Sequence, residues 1–201
     1  MRFVMSQCEA LDVPCIVGRA DVPGLAAERR VSVETAARDA RYAFFDVQEA
    51  DFIATAHQMD DMAETVLMNL LRGSGLTGLA GIPEKRGRYI RPLLRVSRRQ
   101  IEAYAQRSGI AHVKDATNDD TAYTRNYVRR ELLPRMARVN RGAMRNIART
   151  AALLAEDEAA LTEMARSSGC IEDTQDGAAV DLGRLKRLMP AVQKRVLRLA
   201  A

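Results

Sequence analysis

Apolar positions along this chain fall first into short alternating segments and later into long helical stripes. Over residues 1–12, Phe3, Val4, Cys8 and Leu11 share one side, which predicts the end of a helix. Pro14 opens a short apolar run, Cys15-Ile16-Val17, that suits a buried strand, and a loop is expected through Pro23 and Gly24. Ser32 is placed to cap the next helix, with Glu34 in its first turn. That helix is predicted to reach about Glu49 and to bury Ala36, Ala40, Ala43, Phe44 and Val47. Phe52-Ile53-Ala54-Thr55 reads as a second strand. From about Asp60 to Arg72, Ala63, Val66, Leu67, Leu70 and Leu71 make an apolar stripe that Gly73 ends. Helices alternating with strands predict an α/β fold with a parallel sheet.

The pattern then changes. Residues 73–83 are a glycine-rich connection, and Tyr89-Ile90-Arg91 is one more strand, stopped by Pro92. Arg72-Gly73-Ser74-Gly75 follows a helix, so it reads as a helix stop and not as a phosphate cradle. Ser97 and Gln100 form a capping box for a helix that stops at Gly109. A polar loop, Asp115 to Asp120, leads into a basic helix broken near Pro134. An Ala-rich helix covers roughly 142–166, a Ser/Gly/Asp loop follows, and Pro190 starts a last helix. The boundary between the two styles falls within 84–96, dividing an α/β part (1–90) from a mostly helical part (91–201). The chain starts inside a helix, where such a sheet ordinarily starts on a strand. The expectation is an incomplete sheet from a longer protein.

Aromatic residues are 4% of the chain and Trp is absent, so the core must be built from Ala, Leu, Val, Ile and Met. No stretch has the length of a membrane span, and the first residues lack a secretory signal, which predicts a cytoplasmic protein without a membrane partner. Cys8, Cys15 and Cys170 are odd in number and form no CxxC pair, arguing against a disulfide framework or thiolate metal site. Charge is uneven: residues 1–84 carry net −6, 85–149 net +12 and 150–201 net −1. Cations gathered in the middle third favour a polyanion partner, because each one near a phosphate releases counterions.

Three groups of residues carry candidate chemistry. His57, Asp60, Asp61, Glu64 and Thr65 sit where a strand passes into a helix, the place where open α/β sheets bind ligands. Asp60 and Glu64 share a helical face and repel, a repulsion that Mg²⁺ or a substrate ammonium would reverse. A first turn stabilised by acids is the plainer account, but it reaches Glu64 poorly. Arg38 and Arg41, three apart, could hold a phosphate between them or simply be solvated. Past the Asx-rich loop, Tyr123, Arg125, Asn126, Arg129 and Arg130 combine phenol, amide and guanidinium groups suited to phosphates and exposed bases.

These residues carry a resemblance. His57-x-x-Asp60-Asp61-x-x-Glu64-Thr65, Leu71-Arg72-Gly73-Ser74-Gly75-x-x-Gly78-Leu79, Arg91-Pro92-Leu93-Leu94 and Asp115-x-x-Asn118-x-Asp120-x-x-Tyr123-x-Arg125-Asn126-x-x-Arg129 with Leu133-Pro134 stand in order across residues 30–140. The set resembles the tRNA-isoleucine lysidine synthases, N-type ATP pyrophosphatases with a PP-loop (adenine nucleotide alpha hydrolase-like) domain. The resemblance implies a ligase that uses ATP and Mg²⁺. It would adenylate the C2 oxygen of the wobble cytidine in a tRNA(Ile) with a CAU anticodon, and L-lysine would then displace AMP. It implies a catalytic cluster of His57, Asp60 and Glu64, metal ligands in Asp60 and Asp61, and nucleotide-facing Arg38 and Arg41. It also implies tRNA-facing Asn118, Arg125, Asn126 and Arg129. Whether two copies pair as a homodimer is left open.

The family's Ser-Gly-Gly-x-Asp-Ser loop occurs nowhere in these residues, so the expectation is an incomplete chain whose activity alone is doubtful. A non-catalytic tRNA-binding remnant is the alternative. Related enzymes that thiolate tRNA cytidine use clustered cysteines, which this chain lacks.

Overall fold

The computed structural model describes residues 2–113, 124–175 and 177–201. Its sheet is small and mixed. Strand β1 (Ile53–Ala54) runs parallel to β3 (Tyr89–Ile90), and β2 (Lys85–Arg86) pairs antiparallel with β3, giving the order β1-β3-β2. The wholly parallel sheet expected from the helix–strand alternation is therefore not what these residues form. Gly87, at φ +57, lets the β2–β3 turn close tightly, so β2 folds back on β3.

Helices α1 (Arg2–Ala10), α2 (Val22–Arg29) and α3 (Val33–Asp46) precede the sheet. Ser32 Oγ accepts the Thr35 N–H at 3.1 Å, as the N-cap pattern predicts. Helix α4 (Met59–Leu71) follows β1 and ends before Gly73, whose φ of +72 suits a left-handed stop. After the short α5 (Leu76–Leu79) and the β2–β3 turn, the Ser97–Gln100 capping box opens α6 (Arg98–Arg107).

Helix α9 (Ala143–Ser167) is the spine of the molecule. Two faces of α4 are buried by different neighbours. Met62 and Val66 pack with Leu94 and Ala151, flanked by Leu79, Ile82 and Ile147. Ala63 and Leu67 pack with Val128 and Leu133, flanked by Met136 and Met144. A third cluster joins Ala165 and Cys170 to Leu185, Val192 and Val196 at the far end of α9. These cores are aliphatic, Ala and Met, as the scarcity of aromatic residues requires.

Several local expectations are corrected. Cys15-Ile16-Val17 forms no strand; Ile16 is 67% exposed, because these residues make no ladder. Residues 22–29, expected as loop, form α2. Asp21 caps it by accepting the Gly24 N–H, and Pro23 fills the first turn, where its missing N–H costs nothing. Helix α3 stops at Asp46 and buries Ala36, while Ala43 and Val47 are exposed. Leu70 and Leu71 leave the core at the solvent end of α4.

Pro134 does not break the basic helix. Helix α7 (Thr124–Tyr127) runs through a π-helical turn, Val128–Leu132, into α8 (Leu133–Val139), whose first turn holds Pro134. The expected Ser/Gly/Asp loop contains a hairpin, β4 (Ile171–Thr174) with β5 (Gly177–Val180), then α10 (Leu182–Leu185). Helix α11 (Pro190–Ala200) starts at Pro190 as expected. No helix among the described residues is long and apolar enough to cross a membrane.

Candidate functional site

The carboxyl end of β1 delivers Thr55, Ala56 and His57 into a cavity of about 610 Å³. Helix α4 begins two residues later. Gln58 is its N-cap and donates its backbone N–H to Asp61 Oδ2 at 3.0 Å. That capping box turns Asp61 toward the cavity, which it lines. Helix α3 forms the opposite wall with Arg38, Arg41, Tyr42 and Phe45. The Arg38 guanidinium lies over the Tyr42 ring, 5.1 Å from its centroid. The third wall is the α7–π segment, with Arg125, Asn126 and Arg129.

Glu64 lies behind that wall, fully buried. An isolated carboxylate there would be prohibitive, so it is paired. Arg125 Nε donates to Glu64 Oε2 at 2.9 Å, and Arg129 donates Nε to Oε1 at 2.5 Å and Nη2 to Oε2 at 3.0 Å. Both arginines also reach Asp61 Oδ1, at 3.4 and 3.3 Å. Two carboxylates from α4 thus hold two guanidiniums from a segment more than 60 residues away in sequence. The hydrogen bond to Glu64 raises the Arg129 pKa above its ordinary value, so this cation is permanent.

His57 is half-buried. Its Nδ1 lies 2.9 Å from Thr55 Oγ1, which fixes the ring and leaves Nε2 for the cavity. Burial pushes its pKa below the usual 6.5, Asp61 opposes this, and the charges of Arg91, Arg125 and Arg38 push it down again. The imidazole is therefore neutral at pH 7.

Of the expected residues, Arg38, Arg41, His57, Asp61, Arg125, Asn126 and Arg129 line one cavity. Glu64 joins them indirectly, through the two arginines. Asp60 does not line it: its Oδ2 accepts the backbone N–H of Arg98 at 2.9 Å, capping α6 from outside. Asn118, with Asp115, Asp120 and Tyr123, lies outside the described residues. The Asp60 and Asp61 carboxylates face different partners, and no group of three or more His, Cys, Asp or Glu among the described residues could hold a metal ion. Among the described residues, Asp60 and Asp61 therefore do not form a shared Mg²⁺ site built from protein side chains alone.

Thr55 opens the strand-to-helix group and also lines the cavity. Tyr42 and Phe45 line it as well and are not singled out by the sequence; their spacing of four from Arg38 and Arg41 is the signal that places them on the same face.

A family model described as the PP-loop domain matches residues 1–136. The tRNA(Ile)-lysidine synthase of Geobacter sulfurreducens is 39% identical over 99% of this chain and 44% of its own length. That of Pseudomonas aeruginosa is 41% identical over 95% of this chain and 46% of its own. That of Geobacillus kaustophilus is 35% identical over 99% and 45%. The chain spans a little under half the length of these curated relatives. A strand end, an acidic helix start and a nucleotide-sized cavity at their junction agree with the domain match: the chain belongs to the PP-loop family.

Proposed function

We propose that this chain supplies the adenylate- and tRNA-facing part of an ATP-dependent ligase that joins lysine to the wobble cytidine (C34) of a tRNA(Ile); its similarity to proteins named tRNA(Ile)-lysidine synthase supports the reading. One observation carries the reading: an imidazole from a strand end and a carboxylate from the first turn of α4 meet arginines from α3 and from the basic α7–π segment around one cavity. In this reading the α/β part, residues 1–90, handles the nucleotide and the helical part, 91–201, meets tRNA in the cytoplasm.

The cytidine C2 oxygen attacks the α-phosphorus of ATP and pyrophosphate leaves. The lysine amine then attacks C2, loses a proton, and AMP leaves. Arg38 and Arg41 would meet the phosphates, where negative charge moves during both steps. Asp61 would attract the lysine ammonium. In the tautomer that donates Nδ1–H to Thr55 Oγ1, His57 Nε2 is an unprotonated acceptor for the proton the amine must lose. Arg125, Asn126 and Arg129 would meet the RNA at the cavity mouth, and Glu64 would keep the arginines in place. Asn118 belongs to this group by motif alone. Asp60 would act from outside the cavity, by fixing the first turn of α4 against α6. Mg²⁺ is expected from the family; no step here is assigned to it, because Asp60 and Asp61 point apart.

The test is AMP release and lysidine formation by this chain joined to a segment carrying Ser-Gly-Gly-x-Asp-Ser, with tRNA(Ile) and lysine. Asp61→Asn is expected to cut the rate by about 100-fold. Asp60→Asn should cost less and mainly loosen α6. Full activity of Asp61→Asn would contradict the assignment.

A further inference from the structure

A second cavity, of about 500 Å³, shares Arg38 and Tyr42 with the first. Its other lining comes from the β2–β3 hairpin, with Arg86, Arg88, Tyr89 and Arg91, and from Asp39 and Asp46 of α3. Most of these charges are already engaged. Arg88 donates to the carbonyls of Gln48 at 2.5 Å and Ala50 at 2.7 Å, tying the hairpin to the end of α3. Asp46 accepts the Tyr89 hydroxyl, and Asp39 lies 3.9 Å from Arg29.

Arg88 and Arg91 each keep a buried Nε with no hydrogen-bond partner among the described residues. Arg91 is the more deeply buried of the two, 7% exposed, and its Nη1 donates to the Pro83 carbonyl at 2.7 Å. A buried guanidinium with an orphan donor is costly, and folded proteins seldom leave one without a use. Arg91 also follows β3 directly. It stands at the carboxyl edge of the sheet beside Thr55, whose N–H bonds to the Ile90 carbonyl at 2.9 Å. That edge is where parallel α/β sheets take ligands.

We propose that the second cavity is a subsite for a phosphate ester, with Arg91 as its buried donor and Arg38 and Arg86 as outer cations. A guanidinium offers paired N–H groups that match phosphate oxygens. The cavity is larger than a bare phosphate needs and admits a nucleotide. The rings of Tyr42 and Tyr89, with centroids 4.9 Å apart and planes tilted by 58°, supply an aromatic corner against which a sugar or base can rest. Asp39 and Asp46 keep their negative charge, but Arg38, Arg86, Arg88 and Arg91 outnumber them in the lining. The subsite takes either a free phosphate ester or one phosphodiester of an RNA strand. It shares Arg38 with the first cavity, while His57 lines only the first and Arg91 only the second, so the two signals test the two readings separately.

The experiment is nitrogen-15 NMR of the arginine Nε–H groups in the 201-residue chain, with the Arg91 signal assigned by its loss in R91K. The probes are inorganic phosphate, uridine 5′-monophosphate and single-stranded octauridylate. At least one should shift the Arg91 signal saturably. R91Q should weaken that probe by about tenfold, while R135A, at an exposed arginine on α8, changes it by less than about twofold. A response to phosphate or the mononucleotide means that a free ester suffices. A response to octauridylate alone means that a strand phosphodiester is read. If R91Q unfolds, the Arg91 signal of the unaltered chain decides. An Arg91 signal unmoved by every probe, or a folded R91Q that binds as well as the parent, overturns the proposal.

Discussion

Two carboxylate–arginine groups are sunk into this molecule, and they differ in what lies beyond them. Glu158 of α9 meets Arg195 of α11 through paired hydrogen bonds and also accepts from Thr77 at 2.9 Å. Arg195 holds the Glu158 carboxyl below its ordinary pKa. That group links side chains of three helices, so it fixes α9, α11 and α5 to one another. Glu64 and Asp61 use the same chemistry, yet their arginines form the wall of a cavity. The same interaction acts as a rivet at one end of α9 and as a frame for a charged surface at the other. Burial of an ion pair alone does not mark a site; the open side of the cations does.

The largest effect should come from Glu64→Gln. It leaves two guanidiniums facing a neutral amide, with Asp61 as their remaining anion, and should lower unfolding free energy by about 3 kcal/mol in urea titrations. A loss equal to that of an exposed pair would show that the frame contributes little. Arg195→Met should cost somewhat less, about 1–3 kcal/mol, because Glu158 keeps Thr77 and some solvent. The double variant Glu158→Leu/Arg195→Met should recover most of that loss, as a rivet predicts. A double variant as weak as the single one would mean that the pair does more than join helices.

The smallest effect concerns pH. The folded pKa of His57 lies below its unfolded value, so the unfolded chain binds more protons between the two. Its contribution therefore makes stability rise with pH from the folded midpoint up to about 6.5, and it is flat above. An NMR titration should place the His57 midpoint below that of a free histidine. Asp61→Asn removes the group that raises it and should move it lower still; an upward move would contradict the geometry.

Much of the candidate site was legible in sequence because it is local. A strand end, His57, a capping residue and the acidic start of α4 follow within a few positions, and each has a physical reason to stand there. The partners of Glu64 were not legible. They come from a distant segment, and a carboxylate four residues from Asp60 suggested a metal or ammonium where the fold supplies guanidinium. The direction of Asp60 was hidden for a similar reason, since only the placement of α6 turns it outward. The hairpin at 171–180 escaped notice because Ile171 and Val180 alone turn toward the core, leaving no period-two pattern. Cys15-Ile16-Val17 shows the reverse: a good apolar run is a strand only where another strand meets it.

The cavity framed by α3, the end of β1 and the α7–π segment is assigned here to a nucleotide. The chain contains two histidines, His57 at the cavity and His112 on an exposed segment after α6. Proton NMR of their rings during titration with AMP, with His112→Gln for assignment, puts the claim to a direct test. The expected result is a saturable shift of the His57 signal with His112 unmoved. A His57 signal that stays still, or moves only as much as that of His112, would contradict it.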